Sequence, residues 1–193
     1  MRTYVDLDDT LINAVHGAGR GIGKRTLVGV GAGDFYHSLI RPKAGELLSS
    51  LREMGEVYML TTATRAYACA HNDIFQLGFS DDQIVAREDY VTRITLAYSS
   101  AWVATAERVC PDARLIDNLP IGADAARLKM SYLGIKKDRY IQIREFYGKD
   151  PEIFNDELAH ILRSIRDEEG LRALGRGGAG PISVPKTVGG TEY

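Results

Sequence analysis

Asp6-Leu7-Asp8-Asp9-Thr10 directly follows the apolar pair Tyr4-Val5, so carboxylates and a hydroxyl stand where a short N-terminal strand would leave a sheet. In an α/β sheet the loops beyond the carboxyl ends of the strands form the ligand crevice. A D-x-D-x-T string lets one strand end aim two oxygen-bearing side chains into it. That placement suits phosphate chemistry. Two carboxylates at one strand end can hold different protonation states at one pH, provided their surroundings separate them from the unperturbed value of about 3.9. A carboxylate meeting a phosphate dianion brings like charges together. Each unit pair at about 4 Å costs about 1 kcal/mol in water and about 4 kcal/mol at an effective dielectric of about 20, so counter-charge is required.

Further strand ends extend the set. Val57-Tyr58-Met59-Leu60 closes on Thr61, with Thr62 next, and Ala113-Arg114-Leu115-Ile116 closes on Asp117-Asn118. Arg87, after Ile84-Val85-Ala86, and Arg93, after Tyr90-Val91, are the basic candidates; Lys129 lies too far past Asp117 to fit. Each has a structural reading beside the chemical one. Threonine favours strand ends and helix caps, Asp-Asn-Leu-Pro suits a turn, and either arginine suits a solvated surface.

Taken in order, the strings DLDDTL, RPKAGELLSSL, VYMLTTATRAYA and LIDNLP make the stretch from Arg2 to about Ile143 resemble the haloacid dehalogenase superfamily of aspartate-nucleophile phosphatases. More narrowly, Arg41-Pro42 and Tyr67-Ala68 resemble its capless branch, which contains the small phosphatases of the RNA polymerase II C-terminal domain and the NLI-interacting-factor-like group. The resemblance implies Asp6 as the nucleophile that forms an aspartyl-phosphate and Asp8 as general acid and base. It implies Thr61 and Thr62 at the phosphoryl oxygens. It also implies magnesium held by the Asp6 carboxylate, the Asp8 backbone carbonyl and Asp117, with Thr10 and Asn118 in support. The chain departs from the pattern at the basic residue, because Thr92 stands where the related phosphatases have lysine. Arg93 or Arg87 is left for the phosphate, and arginine can bind it bidentately.

The activity so implied is a magnesium-dependent phosphomonoester hydrolase acting on a phosphorylated substrate, with phosphoserine or phosphothreonine in a phosphoprotein favoured. Within enzymology the alternative is a nucleotide or polynucleotide-end phosphatase, which would use the same acids but add base-stacking aromatics and a basic channel. An alternative of another class is a non-catalytic phosphate-binding or interaction protein on the same fold.

Strands are expected near Thr3 to Leu7, Val57 to Thr61, Gln83 to Ala86, Ala113 to Ile116 and Tyr140 to Ile143. Helices are expected at Pro42 to Met54, Arg65 to Leu77, Ala97 to Arg108, Ile121 to Tyr132 and Pro151 to Arg166, with Gly55, Gly78 and Gly134 as stops. This βαβ rhythm predicts an α/β fold: a Rossmann-like three-layer sandwich around a mostly parallel sheet, in one domain over residues 1–170. The glycine-rich stretch within about 13–40 matches neither a P-loop nor a dinucleotide fingerprint. It reads as a hairpin or flap, in which Arg20, Lys24 and Arg25 could meet an anion. It is too short for a folded cap, so the site is expected to be open. Residues 171–193, rich in Gly and Pro, read as a flexible tail.

The 193 residues are 45% apolar and 26% charged, which suits a soluble globule with a real core. A net charge of −2 gives no basic field for nucleic acid and no polybasic membrane patch, so neither a membrane nor an obligate nucleic-acid partner is expected. Two cysteines without C-x-x-C spacing, scattered histidines and no apolar leader fit a reducing cytoplasm.

Overall fold

The computed structural model describes residues 2–17, 25–31, 33–96, 99–104, 110–147, 159, 161–163, 165 and 166, and of residues 93–96 and 99–104 the backbone alone. The chain divides into a unit of residues 1–162 and a second of residues 163–193.

Five short strands form an all-parallel sheet in the order β10-β9-β1-β5-β6: β1 (Arg2–Val5), β5 (Glu56–Leu60), β6 (Ile84–Val85), β9 (Arg114–Asp117) and β10 (Tyr140–Gln142). Helices α1 (Ala44–Met54) and α2 (Arg65–Phe75) carry the chain from β1 to β5 and on to β6, while α4 (Asp124–Leu133) carries it from β9 to β10 in the opposite direction. Right-handed crossovers running opposite ways put α1 and α2 on one face and α4 on the other, which gives three layers. Leu47, Leu48 and Leu51 of α1 are buried. On the opposite face Tyr132 and Leu133 of α4 pack with Tyr4, Leu60, Val85 and Leu115 of the sheet. These helix residues recur at helical spacing and the strand residues alternate, as burial of one stripe and one face demands.

The stretch after β1 forms an antiparallel sheet in the order β2-β4-β3, from β2 (Ile12–His16), β3 (Thr26–Gly29) and β4 (Phe35–Ile40). Of the glycine-rich stretch expected as a hairpin or flap, residues 18–24 and 32 lie outside the described residues. The Arg25 guanidinium donates to the Asn13 side chain and to the carbonyls of Asn13 and His37, which ties it to β2 and β4. Arg20 and Lys24 lie outside the described residues, as does the 171–193 tail.

One expected element is overturned. Residues 99–104, placed in a helix over Ala97 to Arg108, are strand β8 (Ser99–Ala104), paired antiparallel with β7 (Val91–Leu96) from Val91↔Ala104 to Leu96↔Ser99. The β-branched residues Val91, Thr92, Ile94 and Thr95 favour an extended backbone, and the ladder then pairs the backbone groups that the two strands turn toward each other. A four-residue helix, α3 (Arg87–Tyr90), precedes them. Gly55 and Gly134 do stop α1 and α4, but α2 ends in a left-handed turn at Gln76 (φ 51°) rather than running to Gly78. Of the helix expected over Pro151 to Arg166, residues 159, 161–163, 165 and 166 are helical and the others lie outside the description. Among the described residues no helix is long and apolar enough to cross a membrane.

Arg41 ties the loop after β1 to the end of the sheet. It is 1% exposed and donates to the Thr10 carbonyl at 2.9 Å and to the Arg144 carbonyl at 2.8 Å, while its guanidinium lies 5.8 Å from the Phe146 ring centroid. The Phe146 N–H in turn donates to the Asp9 carbonyl at 2.8 Å. Arg41→Ala would leave two carbonyls without donors, so the free energy of unfolding is expected to fall by about 2–4 kcal/mol, read as a lower urea midpoint.

Candidate active site

Asp6 continues the line of β1, with its N–H donating to the Ile116 carbonyl of β9 at 2.9 Å. Because Tyr4 is registered with Leu115, alternation puts Asp6 and Asp117 on the face that α4 covers. Lys129, on the buried stripe of α4 with Ala126, Tyr132 and Leu133, reaches both carboxylates. Its Nζ lies 2.7 Å from Asp6 Oδ1 and 2.8 Å from Asp117 Oδ2. All three groups are nearly sealed from solvent, at 1%, 4% and 0% exposure for Lys129, Asp6 and Asp117.

Lys129 therefore corrects the judgement from spacing. Helix α4 returns over the sheet edge, and the long lysine stem covers the remaining distance, so separation along the chain did not measure separation in space. A lysine three residues after Ala126 and three before Tyr132, inside an apolar stripe, was the signal: a charge there must have a partner.

Burial pushes the Asp6 carboxyl well up from its ordinary value; Lys129 pulls it back, and Asp117 and Asp8 add to the rise. Burial opposes the charge on Lys129, but Asp6 and Asp117 outweigh it and the net shift is upward. One ammonium faces two buried carboxyl groups with a third nearby, so acidic groups outnumber basic ones at the centre. The groups available to a cation are all oxygens: the Asp6 and Asp117 carboxylates and the Asp8 carbonyl. Among the described residues no three His, Cys, Asp or Glu side chains are grouped to hold a metal. A magnesium site uses one or two carboxylates and retains several waters, so the donor set fits it.

Thr10 and Asn118 lock the two acidic loops together. The Asn118 N–H donates to Thr10 Oγ1 at 3.0 Å. With its carboxamide oriented by its neighbours, the Asn118 amide nitrogen faces Thr10 Oγ1, the Asp8 carbonyl and Asp117 Oδ1 at 3.1–3.2 Å. Asp117 Oδ1 also accepts the Leu119 N–H at 2.9 Å.

Asp8 occupies different surroundings. It borders a cleft of about 450 Å³ with Asp9, Ala14 and Tyr36 on one side and Ala63, Thr64, Tyr67 and Arg87 on the other. Burial raises its pKa, against a hydrogen bond of 2.6 Å from the Tyr67 hydroxyl, and Asp9 contributes to the rise. Arg87 is held at the cleft by its backbone N–H, which donates to the Ala63 carbonyl at 3.0 Å. Thr61 is buried just past β5, where its Oγ1 accepts the Ala63 N–H at 3.0 Å, and Thr62 beside it is partly exposed. Arg93 pairs with Trp102 in the β7–β8 ladder, and its side chain lies outside the description. The structure thus gathers Asp6, Asp117, Thr10 and Asn118 with Lys129, and Asp8 with Arg87 and Tyr67; it brings no described part of Arg93 to them.

No protein-family model matches the sequence, and no curated protein matches it. Among solved structures the chain is similar to a variant of the fission yeast RNA polymerase II CTD phosphatase Fcp1 bound to beryllium fluoride. The identity is 16% and the TM-score 0.47, over 91% of this chain and 54% of that one. It is also similar to Fcp1 described as an essential RNA polymerase II CTD phosphatase, at 17% identity and a TM-score of 0.48, over 95% of this chain and 55% of that one. The chain thus spans about half the length of these structures.

Behind Tyr67 lies His71, fully buried, with its pKa lowered by burial against the hydrogen bond to the Tyr67 carbonyl. Nδ1 donates to that carbonyl at 2.9 Å, so the neutral ring accepts the Ser38 hydroxyl at Nε2, 2.7 Å away. The folded state thus resists a proton that the unfolded chain takes up near pH 6.5. The resulting stability is present in full above that pH and is lost as pH falls through it, by at most about 1.4 kcal/mol per unit. Urea unfolding at pH 7.5 and 5.5 is expected to show a smaller acid loss for His71→Gln than for the wild type.

Proposed function

We propose that the chain is a phosphomonoester hydrolase in which Asp6 attacks phosphorus and Asp8 handles the protons. The observation that carries this reading is the arrangement of Asp6, Asp117 and Lys129 in one buried charged centre, with Asp8 two residues from Asp6 beside an open cleft. Lys129 supplies positive charge beneath the nucleophile and fixes which Asp6 oxygen is engaged, leaving the other for attack. Arg87 at the cleft rim meets the outer phosphoryl oxygens, and the Thr61 hydroxyl with the turn after it offers donors at the sheet edge. Asp6 forms a bond to phosphorus as the ester bond breaks, and the departing oxygen takes its proton from Asp8. Water then attacks the aspartyl-phosphate, Asp8 accepts the proton of that water, and the Asp6–phosphate bond breaks to regenerate both groups.

Magnesium, held by the Asp6 and Asp117 carboxylates and the Asp8 carbonyl, would supply the remaining counter-charge to a phosphoryl oxygen. Burial favours the protonated form of Asp8, as its role as an acid requires, and Lys129 is the group that opposes the same effect of burial at Asp6. The sequence resemblance keeps phosphoserine and phosphothreonine in proteins as the substrate class to test first, and an open cleft of this kind admits them.

Hydrolysis of p-nitrophenyl phosphate with magnesium tests the reading directly. Asp6→Asn is expected to abolish turnover, and Lys129→Met to lower kcat/KM by about 10²–10³, the scale of losing one buried electrostatic donor. EDTA should stop the wild-type reaction and added magnesium restore it. An Asp6→Asn variant with wild-type rate would sink the proposal.

A further inference from the structure

We propose that Tyr67 is a positioning residue for Asp8: its hydroxyl engages Oδ1 as a fixed acceptor, so that Oδ2 is the oxygen that exchanges a proton with the substrate ester. This proposal rests on the hydrolase reading above. A phenol has a single proton to donate, and at 2.6 Å it goes to Asp8 Oδ1. With Oδ1 occupied by the phenol, Oδ2 is the oxygen left to face the substrate ester, and rotation of the carboxyl would break the hydrogen bond.

The position of Tyr67 is itself over-determined. The residue is 7% exposed, and its ring lies between Tyr36 of β4, edge-on at 4.8 Å and 82°, and His71 of α2 at 4.1 Å. His71 in turn is held by the Ser38 hydroxyl of β4 and by the Tyr67 carbonyl. Strand β4 of the three-stranded sheet thus braces Tyr67 twice, through Tyr36 directly and through Ser38 and His71. Such bracing limits the hydroxyl to one direction, and a proton donor within about 0.5 Å of its required place is what proton transfer demands. In the first step the Asp6–phosphorus bond forms, the bond from phosphorus to the ester oxygen breaks, and that oxygen leaves with the Oδ2 proton. In the second step Oδ2 takes the proton of the attacking water. Tyr67 keeps its own proton throughout and touches neither reacting oxygen.

A group that acts through an acid matters most where the leaving oxygen needs a proton. A p-nitrophenolate is stable as an anion, whereas the alkoxide of a phosphoserine is not. Tyr67→Phe keeps the ring and its stacking but removes the hydroxyl. It is expected to lower kcat on a phosphoserine peptide at least about tenfold more than kcat on p-nitrophenyl phosphate, with KM for both little changed. Ser38→Ala loosens the brace without reaching the cleft and is expected to show the same selectivity at smaller size. If Tyr67→Phe fails to fold, Ser38→Ala carries the comparison alone. Equal losses on the two substrates, or a wild-type enzyme that hydrolyses the aryl ester alone, would overturn the proposal. Asp6→Asn assayed in parallel separates the two failures: activity there refutes the hydrolase reading, whereas an inactive Asp6→Asn with unselective Tyr67→Phe refutes the positioning role alone.

Discussion

A single ammonium group between two buried carboxylates constrains the architecture around it. Lys129 can touch Asp6 and Asp117 together because β1 and β9 are parallel neighbours in a register that sends both acids to the same face. Isolated charges at such depth would each be costly, and removal of any one partner would leave another uncompensated. The parallel pairing, the crossover that lays α4 on that face and the placement of a lysine in its apolar stripe are therefore mutually dependent. Tyr90 and Tyr132, packed ring to ring at 4.8 Å, help close the same region from water.

The loops that carry the acids are fixed by polar contacts rather than by apolar packing alone. Thr10 receives the Asn118 N–H through its side chain and the Arg41 guanidinium through its carbonyl, so one residue joins the β1 loop to both the β9 loop and the start of α1. Asp9 takes a left-handed conformation (φ 53°) that short polar side chains tolerate, and its carboxylate accepts the Asn13 amide at 2.7 Å. These contacts turn the chain sharply after Asp8 and into β2. A site that must separate two acids two residues apart needs such a rigid turn.

Much of this was legible in the sequence, and the exceptions have definite causes. The parallel strands were recoverable because each is a short apolar run ending in a polar residue, and the acids were recoverable because they occupy those ends. The β7–β8 pair was misread because Ala97 to Arg108 contains alanines that suit a helix, while the β-branched residues that commit the backbone lie just before it. Lys129 was missed for a different reason. Strand ends converge by construction, but a helix residue reaches the same place through the angle of its helix and the length of its side chain. Neither quantity is written in linear spacing. The position of Arg87 likewise depended on where the chain turns after β6, and the Arg87–Ala63 backbone hydrogen bond holds it at the cleft, while the Arg93 side chain lies outside the described residues.

The division of labour proposed for Asp6 and Asp8 follows from the same geometry. Side chains two residues apart on an extended strand would share one face and one environment, and two such carboxylates would titrate as a pair. Here the chain leaves the strand at Asp6, and the turn that begins at Leu7 carries Asp8 toward the cleft formed by α2 and the β2–β4 sheet. Asp6 consequently has an ammonium as its nearest partner, whereas Asp8 has a neutral phenol. Burial raises both carboxyls, opposed chiefly by the ammonium at Asp6 and by the phenol hydrogen bond at Asp8, so the two acids differ in the partner that counters burial. The turn thus gives a repeated residue two different surroundings, with Lys129 of α4 against Asp6 and Tyr67 of α2 against Asp8.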